Sequence, residues 1–334
     1  MTIAIVQTAF LGDVLLTLPL CAAIRQVMPD ARIVFVTTPM AAQFVAGLAY
    51  ADDVVAFDKR GEHKGGKGLR RLAAEHCSGV DVVLVPHTSF RTMRLVRAMK
   101  AKRIVTFGTT WTRWLPGAQV LTYPHGLHDA DRLLQLLRGL NEQFVVGKEA
   151  VGPLRLFTQA DTMPLPDKPY VVLAPGTVWP TKQWPLEYVN ELAQQLAGEG
   201  RRVVVVGDAS VRGCVTAHTN VTDLAGTTSL RQAAAVIAGA SVVVANDSAP
   251  LHVASLQHVA VVGVFGPTVR EFGFGPYGTH ARIVEQTDLA CRPCSNHGSS
   301  RCPIGTHECM RSIAPKQLRD VVVDLLERTG FSSI

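Results

Sequence analysis

Three short polar turns carry residue types that can do chemistry. The first, Phe10-Leu11-Gly12-Asp13, stands between an apolar run at residues 3–6 and a helical stretch. Gly12 permits a tight turn or a close backbone approach. Asp13 then has two readings: a helix cap that complements the macrodipole, or a carboxylate placed to take a proton from a substrate hydroxyl. The second turn spans residues 175–185, PGTVWPTKQWP, after another apolar run. Gly176, Thr177, Thr181 and Lys182 offer backbone donors, hydroxyls and one cation to a phosphate. The Walker pattern GxxxxGK[ST] is absent, and Trp184 is expected to pack. In the third, Asn246-Asp247-Ser248 closes an apolar run, and a helix carrying His252 starts at once. Gly266-Pro267-Thr268 follows the next run. Each turn alone reads as an ordinary cap, but several in one half, all at strand C-termini, point to a pyrophosphate site.

Such turns require parallel strands to hold them. Short Val/Ile-rich runs at residues 3–6, 33–37, 54–57, 80–85 and 104–106 alternate with helical stretches, which predicts an α/β fold with a parallel sheet covered on both faces. Four prolines at 153–169 mark a linker. The alternation then restarts at residues 170–174, 203–206, 242–245 and 260–265. The expected organisation is two doubly wound domains, 1–155 and 165–314, with a ligand cleft where their strand C-termini face each other. A final helix, within 315–334, carries the stripe Leu318, Val321, Val322, Leu325 and Leu326 and is expected to reach back to the first domain. The Gly/Lys-rich residues 61–68 predict a solvated loop.

The chain has 334 residues, 47% of them hydrophobic, which excludes a disordered protein. Its net charge of +6 fits a phosphate-rich substrate, an anionic membrane surface or nucleic acid, without choosing among them. No apolar run approaches the ~20 residues that span a bilayer. The start, MTIAIVQTAF, lacks the basic segment of a signal peptide. A cytoplasmic protein is expected.

The set FLGDVLLTLPL, APGTVWPTKQWP, LAGTTSLRQAAAVIAGASVVVANDSAPLHVA and GVFGPT resembles the ADP-heptose:lipopolysaccharide heptosyltransferase family, in order and spacing along essentially the whole chain. The resemblance is nearest to the branch that adds the second heptose. It implies an inverting transferase of GT-B architecture, with two Rossmann-like domains facing across a cleft. Carried over, the catalytic base is Asp13. The donor site comprises Gly12, Thr177, Lys182, Asp247, Ser248, His252, Gly266, Pro267 and Thr268. The implied substrates are ADP-heptose and a lipid-linked inner-core acceptor, met at the inner face of the cytoplasmic membrane. Nucleic acid is not an expected partner. No DxD pair is present, and no metal is expected to be required for catalysis, because Lys182 and helix N-termini can take the leaving charge. The family's acidic nucleoside contact after the second domain's second strand is missing, and Asp208 is the substitute at hand. The competing readings are a transferase with another nucleotide sugar or acceptor, and a non-catalytic relative. An NAD-dependent dehydrogenase is disfavoured by the lack of GxGxxG.

Two further groups stand out. His125, His128 and Arg132 open a helix that the resemblance places toward the cleft, and Arg91 lies in a basic stretch. Contacts to an anionic acceptor and plain capping or solvation are both open for them. Cys291, Cys294, Cys302 and Cys309 crowd into one short segment and echo a CxPC…CP…HxCM pattern in a branch of the family. Four thiolates at this spacing can hold a structural zinc; packing or disulfides are the alternatives. Lying far along the chain from the other groups, the segment is expected to stand apart from catalysis.

Overall fold

A computed structural model describes residues 1–144, 151–278 and 280–328, in two compact units, Met1–Gly152 and Pro153–Ile334. The first unit is built on β1 (Thr2–Val6), β2 (Arg32–Thr37), β3 (Asp53–Ala56), β4 (Val82–Val85), β5 (Arg103–Phe107) and β6 (Gln119–Leu121). Its helices are α1 (Leu11–Val27), α2 (Pro39–Val45), α3 (Gly65–His76), α4 (Phe90–Met99) and α5 (Asp129–Leu134). The second has β7 (Tyr170–Ala174), β8 (Arg202–Val205), β9 (Val221–Asp223), β10 (Val242–Asn246), β11 (Ala260–Phe265) and β12 (Ala281–Glu285). Around it lie α6 (Leu186–Gly198), α7 (Leu230–Gly239), α8 (Ala249–Leu256), α9 (Glu308–Arg311) and α10 (Pro315–Arg328).

Every strand pair is parallel. The sheet orders are β3-β2-β1-β4-β5-β6 and β12-β11-β10-β7-β8-β9. Read outward from its first strand, each is the same doubly wound order, which reverses between β1 and β4 and between β7 and β10. The central strands β1, β4, β7 and β10 are apolar on both faces because helices cover both. Ile3, Ala4, Ile5 and Val6, for example, are all fully buried.

Several expectations change. Residues 61–68 are not a plain loop, since α3 begins at Gly65. The Asp58 carboxylate takes the amides of Arg60 and Gly61, and the buried His63 accepts the Asp58 amide through Nδ1 at 3.1 Å. The proline-rich stretch after residue 153 is not a free linker either. Leu154 donates its amide to the Leu256 carbonyl at 2.8 Å, and Asp161 pairs with Arg231 at 3.1 Å, both within the second unit. Within the second unit the final helix packs on α6, β10 and β11. Its Leu318, Val322, Leu325 and Leu326 join the second unit's core, each contributing about 2 kcal/mol of apolar transfer. The short edge strands β6, β9 and β12 carry too few apolar residues to be read from sequence.

Candidate active site

The order reversal in the first sheet opens the turns after β1 and β4 side by side. The turn after β1 delivers Asp13 to the third position of α1, where Oδ2 accepts the Phe10 amide at 3.1 Å and the side chain stays partly exposed. Capping is therefore real. It also fixes the carboxylate at the strand edge, where a base belongs, so the two readings of Asp13 are compatible.

Lys59, which follows β3, reaches the same edge and donates through Nζ to the Thr8 carbonyl at 2.9 Å. Burial first, and then the charges of Arg91 and Arg60, push the Lys59 ammonium below its ordinary range. Desolvation followed by the Lys59 charge does the same to His87, in the loop after β4. A basic group thus forms beside Asp13's turn. Of its members sequence reasoning had found Arg91 alone. Lys59, Arg60 and His87 were findable from their place just beyond strand C-termini, but only once the strand order was known.

The group implied for the acceptor separates on inspection. His125 is exposed, its ring edge-on to Tyr123 at 5.1 Å. His128 is the N-cap of α5, its Nδ1 accepting the Ala130 amide at 3.2 Å. Arg132 is buried, and its guanidinium is spent on Asp129 and on the carbonyls of Pro124 and Leu127, lying 4.7 Å over the Tyr123 ring. Those partners hold Arg132 inside the fold.

α5 packs on α1, and the Asp129 carboxyl feels Asp13. Burial, opposed by Arg132 and reinforced by Asp13, pushes Asp129 up to about 6. Between about pH 4 and pH 6 the folded chain therefore holds a proton here that the unfolded chain has lost. The stability from this group is full below about pH 4 and lost as pH rises through about 6, on the order of 3 kcal/mol in all. Relative to Asp129→Asn, the wild-type unfolding free energy, measured by denaturant titration, should fall by that amount between pH 4 and pH 7. A difference that does not change with pH would mean Asp129 is ionised throughout.

In the second unit the reversal falls between β7 and β10, and it joins turns whose Pro175 and Asn246 are 71 residues apart in sequence. Asn246 locks them together: its Nδ2 donates to the Pro175 carbonyl at 2.7 Å and its Oδ1 accepts the Trp184 amide at 3.2 Å. Trp184 is buried, as expected, with Nε1 donating to the Ile313 carbonyl at 3.0 Å. Lys182 Nζ lies 2.6 Å from Asp247 Oδ2, and Thr268 Oγ1 donates to the same oxygen at 2.6 Å. Asp247 thus holds Lys182 and Thr268 in place. Ser248 caps α8 by position, Thr177 and Gly176 are partly exposed, and His252 is buried in α8. Gly266 is buried too; a Cβ there would fall 2.3 Å from Met310 Sδ, so this turn seats directly on α9. Asp208 caps the short turn Ala209–Val211, accepting the Ser210 amide at 2.8 Å.

All seven cysteines are free thiols in this structure. Among the described residues no group of three or more His, Cys, Asp or Glu is arranged to hold a metal ion, so the zinc expectation does not fit this geometry. The sulfurs have other surroundings. Cys302 Sγ accepts the His307 amide at 3.4 Å, and that bond first, with those of Ile304, Gly305 and Thr306, lowers its pKa against the opposing effect of burial. Burial first, then neighbouring thiols, pushes Cys309 up to about 11. The segment's distance from the site is also corrected: the Cys294 amide donates to Pro267 O at 3.1 Å, inside the Gly266-Pro267-Thr268 turn.

Comparison with known proteins agrees with this layout. A lipooligosaccharide heptosyltransferase 2 of Campylobacter jejuni is 21% identical, over 98% of this chain and 99% of its own. A glycosyl transferase family 9 structure from Veillonella parvula superposes with a TM-score of 0.81 at 22% identity, covering 98% of this chain and 97% of that one. An Escherichia coli heptosyltransferase with ADP-2-deoxy-2-fluoro heptose gives a TM-score of 0.74 at 19% identity, over 97% and 99%. The profile of glycosyltransferase family 9 (heptosyltransferase) matches residues 69–304, and the chain belongs to this family of transferases.

Proposed function

We propose that this enzyme transfers a heptose from ADP-heptose to the inner core of lipopolysaccharide, with inversion at the anomeric carbon. The observation that carries the reading is the repeated placement: Asp13 at the sheet reversal of one unit, and Lys182 and Asp247 at the reversal of the other, with Thr268 of the adjoining turn bonded to Asp247. Asp13 takes the proton of the acceptor hydroxyl as its oxygen bonds to the anomeric carbon. The bond to the ADP β-phosphate oxygen breaks with its electron pair. Lys182 and the Ala249 amide at the start of α8, where Pro250 offers no donor, meet the charge that develops. Support for the donor comes from the Escherichia coli heptosyltransferase above, described with an ADP-heptose analogue.

Lys59, Arg60, Arg91 and the exposed His125 suit an anionic acceptor. A lipid-linked acceptor would bring the basic chain to the inner face of the cytoplasmic membrane as a peripheral protein; no described helix is long and apolar enough to cross one. Lys59→Met with Arg91→Met should raise the acceptor KM by about tenfold or more, with kcat and donor KM nearly unchanged, because such contacts bind ground and transition states alike. Equal acceptor KM values in steady-state assays would remove these residues from the acceptor site.

The deciding experiment is a panel of nucleotide sugars, ADP-heptose included, offered with an inner-core acceptor and assayed for nucleoside diphosphate release. Turnover with ADP-heptose is expected. Turnover with a UDP- or GDP-sugar alone would establish the second reading, a different donor. That reading draws on Asp208, whose carboxylate is engaged in its own turn where the family is expected to contact the nucleoside.

A further inference from the structure

The cysteine-bearing segment, residues 291–310, touches both loops of the proposed donor site. At one end the Arg292 guanidinium, anchored on Glu285 at 2.7 Å, donates to the Thr268 carbonyl at 2.9 Å, next to the bond from Cys294 to Pro267. At the other end the segment grips Thr181. The Thr181 hydroxyl donates to the Ser299 carbonyl at 2.9 Å and accepts the Ser299 amide at 2.8 Å, while the Thr181 amide donates to that same carbonyl at 3.2 Å. His307 Nε2 lies 2.8 Å from the Thr181 carbonyl oxygen. A carbonyl only accepts, so Nε2 carries the proton and donates.

Between these grips the segment lies flat on the loop that bears Lys182. Gly298 has φ +90, and a Cβ there would stand 2.8 Å from Trp179 Cβ and 3.1 Å from Lys182 Cγ. Only glycine allows both that backbone and that approach. Every polar group of the Thr181 backbone and side chain is thus tied to the segment, one residue before the lysine that pairs with Asp247.

We propose that residues 291–310 form a clasp that positions Lys182 for a nucleoside diphosphate, with His307 as its positioning residue acting through the Thr181 carbonyl. The proposal rests on the donor-site reading of Lys182. The clasp fixes the backbone on both sides of the Lys182–Asp247–Thr268 set, so the lysine need not be ordered when the phosphate arrives.

The test uses the full chain, ADP as probe and calorimetry as the measurement. His307→Ala should weaken ADP binding by about tenfold while the far-UV spectrum is retained. His307→Gln, whose Nε2 amide can donate to the same carbonyl at the same backbone conformation, should bind within about threefold of wild type. Adding His307→Ala to Lys182→Met should cause no further loss, because the clasp acts through the lysine. His307→Ala binding within twofold of wild type, equal weakening by Ala and Gln, or additive losses in the double variant would each overturn the proposal. If Lys182→Met binds ADP as well as wild type does, the donor reading fails instead. The clasp is then judged on Trp179 emission, as the difference from Trp179→Phe: a shift in His307→Ala that is absent in His307→Gln upholds it, and no shift refutes it.

Discussion

Asp13→Asn should lower kcat by about a thousandfold while leaving ADP affinity within about threefold of wild type. General-base catalysis contributes roughly 10²–10⁴ in rate, and it acts in the transition state alone. The substitution is a clean one structurally. An asparagine keeps an oxygen to accept the Phe10 amide that Asp13 Oδ2 now takes at 3.1 Å, so the start of α1 stays capped. What is lost in stability is the charge at the helix start, about 0.3–1 kcal/mol. The melting temperature and the turnover number should therefore part company. A variant that keeps more than about a tenth of the wild-type rate would return Asp13 to capping alone. Asp13→Ala serves as the contrast: it removes both roles, and should lose stability as well as rate.

Lys182→Met should weaken ADP binding by about a hundredfold and also destabilise the second unit. The two effects have different origins. Binding falls because a desolvated cation next to a phosphate is worth about 2–5 kcal/mol when truncated. Stability falls because Asp247, 6% exposed at its side chain, is left buried with Thr268 as its remaining side-chain donor among the described residues. Breaking one side of such a pair costs about 3–5 kcal/mol. Lys182→Met with Asp247→Asn separates them. The double variant should recover most of the lost melting temperature, because an amide is cheaper to bury than an unpaired carboxylate, and should recover none of the affinity. Restored ADP affinity in the double variant would show that Lys182 had served the fold and not the phosphate.

The residues proposed to carry the chemistry were legible because they sit at abrupt changes of pattern. An apolar run ending in Asn246-Asp247-Ser248, or a strand followed at once by Gly12-Asp13, marks a strand C-terminus whatever the rest of the chain does. The partnership among them was not legible. That Asp247 holds both Lys182 and Thr268 on one oxygen follows from β10 lying between β7 and β11, and hydrophobic periodicity carries no information about strand order. The same gap hid Lys59 and His87, which come together because the turns after β3 and β4 open on one edge of the sheet. Arg132 shows the same gap for burial. A charged residue at a helix start reads as solvated, and only packing against Tyr123, Asp129 and the Pro124 and Leu127 carbonyls reveals that it is interior.

By itself the sequence determined the fold class, two doubly wound parallel sheets, and the chemical types gathered at their strand ends. Period and punctuation are local properties, set by the helix and strand repeats and by the backbone limits of Gly and Pro. The tertiary structure decided which of those ends meet, and it brought the cysteine segment, distant in sequence, against Thr181 and Lys182. Contacts such as His307 to Thr181, 126 residues apart, depend on chain crossovers and on a glycine at 298 that leaves room for Trp179, and no local pattern encodes them.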